Sequence, residues 1–219
     1  MSISKTHILA HRGSWQSIED KNSWAALCRA MSHGYGLETD VRDLDGKLVI
    51  SHDPPEIAEN TLYLEALLDF YKSNECRGWL AINIKADGLS APVANALASR
   101  NIDRYFVFDM SVPDSLAYIK NDMRAYVRLS EYEGESILQS MASGVWVDNF
   151  SGDFDQIGAA NRLLQSNKQV AIVSPELHGR SHLSLWKKIR KNLPASENLM
   201  LCTDFPDQAA TFWKTEDAN

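Results

Sequence analysis

Cysteine is scarce in this chain, with three residues in 219, at positions 28, 76 and 202. An odd number at wide spacing argues against a disulfide framework and against zinc held through cysteine. Cys28 and Cys202 stand in apolar runs and read as reduced core thiols. Long apolar runs are missing too: no stretch approaches the ~20 residues of a membrane helix. The N-terminal run Ile8, Leu9, Ala10 is too short for a signal-peptide core, so the expected location is cytoplasmic. Positive charge is in deficit, 22 Lys+Arg against 29 Asp+Glu for a net −7, and no polybasic run is present. Nucleic acid and anionic membrane would therefore be repelled on average, though a local anion site is not excluded. No apolar or basic segment marks an interfacial loop, and no Gly/Ser/Pro-rich linker divides the sequence. A single domain over 1–219 is expected.

What is present is a regular alternation of short β-rich runs and amphipathic stretches, the pattern of an α/β protein with a parallel sheet. Nine runs read as strands: ILAHRG, GLETDVRD, KLVISHD, WLAINIK, YFVFDM, AYVRLSE, GVWVDNF, VAIVSPE and LMLCTDF. Helical stripes lie between them, such as Trp24, Leu27, Cys28 and Met31, then Leu64, Leu67, Leu68 and Tyr71. Ser90 reads as an N-cap and Gly34 as a helix stop. The second and third runs are joined only by Leu44, Asp45, Gly46 and Lys47, too short for a parallel crossover, while Asp-Gly between β runs signals a hairpin. With the third run set aside as a hairpin excursion, eight parallel strands remain. The expected architecture is a single (β/α)8 TIM barrel with a hairpin after strand 2 and no inserted subdomain.

In such barrels catalytic groups sit at the C-terminal strand ends and in the loops that follow. The polar residues crowd at those ends: His11 and Arg12, Glu38 and Asp40, His52 and Asp53, Asn83 and Lys85, Asp109, Arg128 and Glu131, Asp148, Glu176, Thr203 and Asp204. With a side-chain period of two, Glu38 and Asp40 share one strand face against Leu37, Thr39 and Val41. Asn83 and Lys85 separate from Ile82 and Ile84 in the same way.

His11-Arg12-Gly13, Lys21-Asn22-Ser23, Glu38-Thr39-Asp40-Val41, Asp45-Gly46, His52-Asp53, Asn83-Ile84-Lys85 and Thr203-Asp204-Phe205-Pro206 follow one another in order. That series resembles the glycerophosphodiester phosphodiesterase family of the phospholipase C-like phosphodiesterases, across essentially the whole chain and most densely over residues 8–53. The resemblance implies a metal-dependent phosphoric diester hydrolase acting on a small glycerophosphodiester or sugar-phosphodiester headgroup. By resemblance His11 and His52 are the general acid and base, suited by imidazole's titration near neutrality. Glu38, Asp40 and Asn83 would hold Mg²⁺ or Ca²⁺, hard cations that prefer oxygen. Arg12 and Lys85 would contact phosphate oxygens. Arg128 and Glu176 are the favoured contacts for a polar headgroup, and Trp15 is a candidate to stack on a polyol.

Three departures from the family pattern bear on function. Asn83 stands where a third acidic ligand is usual, leaving Asp109 or Glu131 to compensate. Lys21 replaces the helix-start glutamate. His52 and Lys85 are too close in sequence for the insertion many relatives carry there. Two alternatives are a catalytically impaired barrel that binds a phosphorylated ligand and a cyclising phospholipase-type lyase.

Overall fold

The computed structural model describes residues 3–214. Nine strands form one sheet: β1 (Ile8–His11), β2 (Gly36–Leu44), β3 (Lys47–Ile50), β4 (Leu80–Ile84), β5 (Tyr105–Phe108), β6 (Tyr126–Leu129), β7 (Gly144–Val147), β8 (Gln169–Val173) and β9 (Leu199–Thr203). The strands match the nine β-rich runs one to one, with β2 and β8 each reaching one residue beyond its run, at Leu44 and Gln169. Eight of them are parallel, in the order β5-β4-β2-β1-β9-β8-β7-β6, and a parallel bridge between Val107 and Ala125 draws the two ends together. The result is a (β/α)8 barrel. β3 stands off this ring as the antiparallel partner of the overhanging end of β2, from Val41↔Ile50 to Leu44↔Lys47. Asp45 and Gly46 both take positive φ in the turn, as a two-residue hairpin between twisted strands requires.

Around the barrel lie α1 (Trp24–Ser32), α2 (Leu64–Ser73), α3 (Ser90–Ala98), α4 (Val112–Lys120), α5 (Ile137–Met141), α6 (Gln156–Gln165), α7 (Leu183–Asn192) and α8 (Pro206–Lys214). Gly34 ends α1 at φ 80°, as expected. Ser90 is not a cap: Leu89 precedes α3, and Ser90 is its first helical residue, its hydroxyl accepting from Asn121.

The strand period divides the interior into two layers. One face of each strand packs on the helices, through Leu37, Val41, Ile82 and Ile84 on one half and Val145, Val170, Ile172 and Leu201 on the other. The inward face carries Leu9, Ala81, Phe106, Phe108, Tyr126, Trp146, Val173, Met200 and Cys202. Those side chains fill the barrel from below. At the C-terminal end of β2 the inward positions are instead Glu38 and Asp40, both buried.

Candidate active site

The site begins where β1 ends. Arg12 and Gly13 take φ of 55° and 93°, turning the chain sharply off the strand and back towards α1. A Cβ on Gly13 would lie 2.6 Å from the Ala26 carbonyl carbon, so only glycine lets the turn rest on the helix. The turn places the Arg12 amide 3.1 Å from Glu38 Oε2. Trp15 donates its indole N–H to the His11 carbonyl and lies under the Lys21 ammonium.

His11 is held by Asp204, with Nδ1 2.6 Å from Oδ1, and its other nitrogen lies 3.9 Å from Glu38 Oε2. Burial opposes ionisation of Asp204, but the hydrogen bond and charge of His11, together with Lys21 Nζ at 3.3 Å, hold its carboxyl below the ordinary value. A carboxylate on one ring nitrogen fixes the imidazole's orientation and leaves the second nitrogen free to exchange a proton.

Asp40 is surrounded by cations and donors. Arg12 Nε pairs with Oδ2 at 2.8 Å, Asn22 donates to the same oxygen at 2.8 Å, and Lys85 Nζ lies 3.7 Å from Oδ1. Thr39 in turn donates to Asn22 Oδ1, so the loop before α1 is tied to β2. Glu38 has less help. Burial first, then the neighbouring Asp40 charge, push its carboxyl up to about 7 against the pull of His11, Arg12 and Lys85.

Whether these residues suit a divalent cation follows from their unspent oxygens. Asp40 and Asn83 face each other in register on β2 and β4. Asp40 Oδ1 and Asn83 Oδ1 are both buried and accept no hydrogen bond. Asn83 turns its amide towards Glu38 Oε1 at 3.4 Å. Two buried oxygens that accept no hydrogen bond, beside a carboxyl that burial pushes up to about 7 and that a bound cation would pull back down, fit a hard cation. The set is lean in charge: no group of three His, Cys, Asp or Glu among the described residues has a metal-site arrangement. Neither compensating acid joins it. Asp109 is engaged by Lys85 at 3.0 Å and by Arg128, and Glu131 accepts the Ser151 amide at 2.5 Å.

Beyond Asp40 the charges alternate around the mouth, strand by strand. Lys85 reaches Asp109, Asp109 meets Arg128, Arg128 Nε lies 3.9 Å from Asp148, and Asp148 is 2.7 Å from His178 Nε2. Arg128 also pairs with Glu133 at 3.4 Å, and its guanidinium faces the Phe150 ring. Glu176 turns back on the barrel, accepting from Ser174, Thr203 and the Asp204 amide. It thereby braces the acid that orients His11. The pairing of Asp148 with His178, 30 positions apart, carried no signal in the sequence.

His52 reaches the mouth by the β3 return, where the Ser51 amide bonds the Asp40 carbonyl. Its side chain is 46% exposed and pairs with Asp53 at 2.9 Å. It lines a 470 Å³ cleft with Arg12, Lys21 and Asn22, between the loop before α1 and the segment 51–62. Thus His11, Arg12, Glu38, Asp40, Asn83 and Lys85 form one contact network, and His52 stands on the flank of Arg12.

No known family model matches this chain, and no curated protein matches it in sequence. Solved structures do match in fold. A glycerophosphodiester phosphodiesterase from Parabacteroides distasonis superposes with TM-score 0.70 at 15% identity, covering 95% of this chain and 97% of its own. One from Agrobacterium tumefaciens gives 0.69 at 18% identity, covering 93% and 98%. A protein from Galdieria sulphuraria gives 0.76 at 14% identity, covering 95% and 97%.

Proposed function

We propose that this chain is a phosphoric diester hydrolase of the glycerophosphodiester phosphodiesterase type, with its centre at the end of β1 and β2. The observation that carries the reading is the His11–Asp204 pair beside buried Glu38 and Asp40, under Arg12 and Lys85. The fold shared with the solved phosphodiesterases supports it. A phosphodiester brings one negative charge and a poor alkoxide leaving group, so its cleavage needs charge neutralisation and a proton at each end of the displacement.

Arg12 and Lys85 are the groups that meet the phosphate oxygens, and both are already held at the mouth by Asp40. His11, oriented by Asp204, exchanges a proton through the nitrogen that faces Glu38. His52 serves at the opposite end of the displacement from its position in the cleft beside Arg12. Glu38, Asp40 and Asn83 would hold a divalent cation, Mg²⁺ or Ca²⁺, and when bound it would supply Lewis-acid neutralisation of phosphate charge. The alcohol extends towards Arg128, whose partners are acids at the mouth, whereas Glu176 is spent on Ser174, Thr203 and the Asp204 amide. Short loops around the mouth favour a small glycerol or sugar headgroup.

His11→Ala is expected to lower turnover of a glycerophosphodiester by about 10²–10⁴-fold, with an unchanged thermal midpoint, and EDTA is expected to abolish it. His52→Ala should act similarly. Full activity in both variants would remove the two-histidine assignment. Following the products by ³¹P NMR separates a monoester, from hydrolysis, from a cyclic phosphate, from a lyase. The exposure of His52 favours one second reading, a barrel that binds a phosphorylated ligand without turnover. Calorimetric binding of a glycerophosphodiester in Mg²⁺ or Ca²⁺ without consumption would establish it.

A further inference from the structure

The mouth holds a second histidine–carboxylate pair that the proposed reaction does not use. Asp148 follows β7 and is only 4% exposed. His178 Nε2 lies 2.7 Å from its Oδ1, the Asn149 amide donates to the same oxygen at 2.8 Å, and Arg128 Nε stands 3.9 Å from Oδ2. His178 closes the turn Pro175–His178 that follows β8. A histidine on a buried acid can be a fastening between two loops, but here that fastening is supplied elsewhere. The Gln156 side-chain amide donates to the Val147 carbonyl at 3.0 Å and to the Val173 carbonyl at 2.9 Å, joining the ends of β7 and β8. The Arg180 guanidinium donates to the Asn149 carbonyl as well. What the Asp148 pair fixes is the imidazole. Oδ1 accepts from the Asn149 amide and from His178, so Nε2 carries the ring proton and Nδ1 of the neutral ring is left as an acceptor. Nδ1 bonds nothing among the described residues, and the side chain is 21% exposed. The ring leans on half-buried Phe150, with centroids 4.8 Å apart, and the Arg128 guanidinium faces the same phenyl ring at 5.3 Å.

The geometry points to His178 as a substrate-binding residue that takes a hydroxyl of the alcohol, with Asp148 as the residue that positions it. One group that accepts and one that only donates stand against a single aromatic wall, both beside Asp148. Adjacent hydroxyls answer that arrangement. One gives its proton to His178 Nδ1, the oxygen of the next accepts from Arg128, and the carbon skeleton between them packs on Phe150. The ligand class is therefore a polyol. A carboxylate or phosphate would meet the Nδ1 lone pair and the Asp148 charge, and a plain alkyl chain would leave Nδ1 and Arg128 without partners. That the polyol is the alcohol of a phosphodiester rests on the phosphodiesterase reading, whereas the polyol site does not.

The test compares a glycerophosphodiester with its deoxy analogue, the glycerol hydroxyls replaced by hydrogen, in wild type and in His178→Ala. Wild type should lose about tenfold in kcat/KM on the analogue. In His178→Ala the KM for the glycerophosphodiester should rise about tenfold with little change in kcat, and the penalty on the analogue should disappear. Where the unpaired Asp148 prevents the single variant from folding, the double variant His178→Ala, Asp148→Asn removes the buried charge and must give the same kinetics. Binding of glycerol 3-phosphate, read from the ¹⁵N resonance of His178 Nδ1, supplies a measure that needs no turnover. A shift of that resonance without hydrolysis of any phosphodiester would leave the polyol site standing and remove the enzymatic reading. Turnover by wild type without discrimination against the analogue overturns the inference and leaves the enzymatic reading in place. Equal losses on both substrates in the variant reduce His178 to a structural tie and also overturn it, as does an unmoved Nδ1 resonance.

Discussion

Glu38 sits out of water beside a second acid, and burial with the Asp40 charge moves its carboxyl from about 4.5 to about 7. The direction fixes the sign of its effect on stability. Because the folded state holds this proton more tightly than the unfolded chain, its contribution is fully present below about pH 4.5 and is lost as pH rises through about 7. Metal-free Glu38→Gln protein in EDTA should match wild type near pH 4.5 and exceed it by about 1–3 kcal/mol at pH 8. Urea melts of both proteins across that range check it. Parallel pH profiles would show that Glu38 is ionised throughout. That Glu38 and Asp40 share a face could be read from the alternation along β2, since a strand has only two faces, but that this face is the inward one could not, because a surface strand alternates in the same way. The dyad of His11 with Asp204 could not, because 193 positions separate its members and only the closed barrel makes their strands neighbours.

At the scale of elements, the connection from β1 to α1 does more for the site than its length would predict. It turns on Gly13, runs past Lys21 and Asn22, and is tied to Asp204 and Asp40 by those two side chains. Gly13→Ala combines an unfavourable φ of +93° with a Cβ 2.8 Å from the Leu27 amide nitrogen, so α1 or the turn must move. It should cost about 2–4 kcal/mol and remove phosphodiesterase activity, because Arg12 and Asn22 move with the turn. Gly46→Ala provides the contrast. Its φ of +74° is also strained, but nothing lies within 4 Å of the added methyl, so about 1 kcal/mol is expected. Thermal melts of the two variants decide whether contact or conformation dominates at Gly13. The hairpin containing Gly46 was legible as Asp-Gly between two β runs, and it accounts for the ninth strand. The start of α3 was not: Ser90 has the residue type of a cap but lies one position inside the helix, where tertiary packing sets the boundary.

For the molecule as a whole, the closure of the barrel has a weak seam. Neighbouring barrel strands elsewhere share three to five register pairs, whereas β5 meets the start of β6 through the single bridge Val107↔Ala125, where the Val107 amide donates to the Arg124 carbonyl. Side chains take over there. Phe106 stacks on Tyr126 at 3.8 Å between centroids, and Phe108 on Trp146 at 4.0 Å. Above them Asp109 and Arg128 meet across the same seam, so the ion-pair circuit of the mouth is continuous only while the barrel is shut. Amide exchange at Val107 is therefore expected to proceed through local opening, faster than at Ile82 in the well-paired β4. Phe106→Ala should cost about 3–5 kcal/mol and accelerate exchange at Val107 more than at Ile82. Equal acceleration at both amides would mean that the barrel opens only as a unit. Faster opening of the seam separates Lys85 and Asp109 from Arg128 and Asp148. The variant should then raise KM for a substrate whose alcohol reaches Arg128, with a smaller change in kcat, because the His11 side of the barrel lies across the ring and keeps its strands paired.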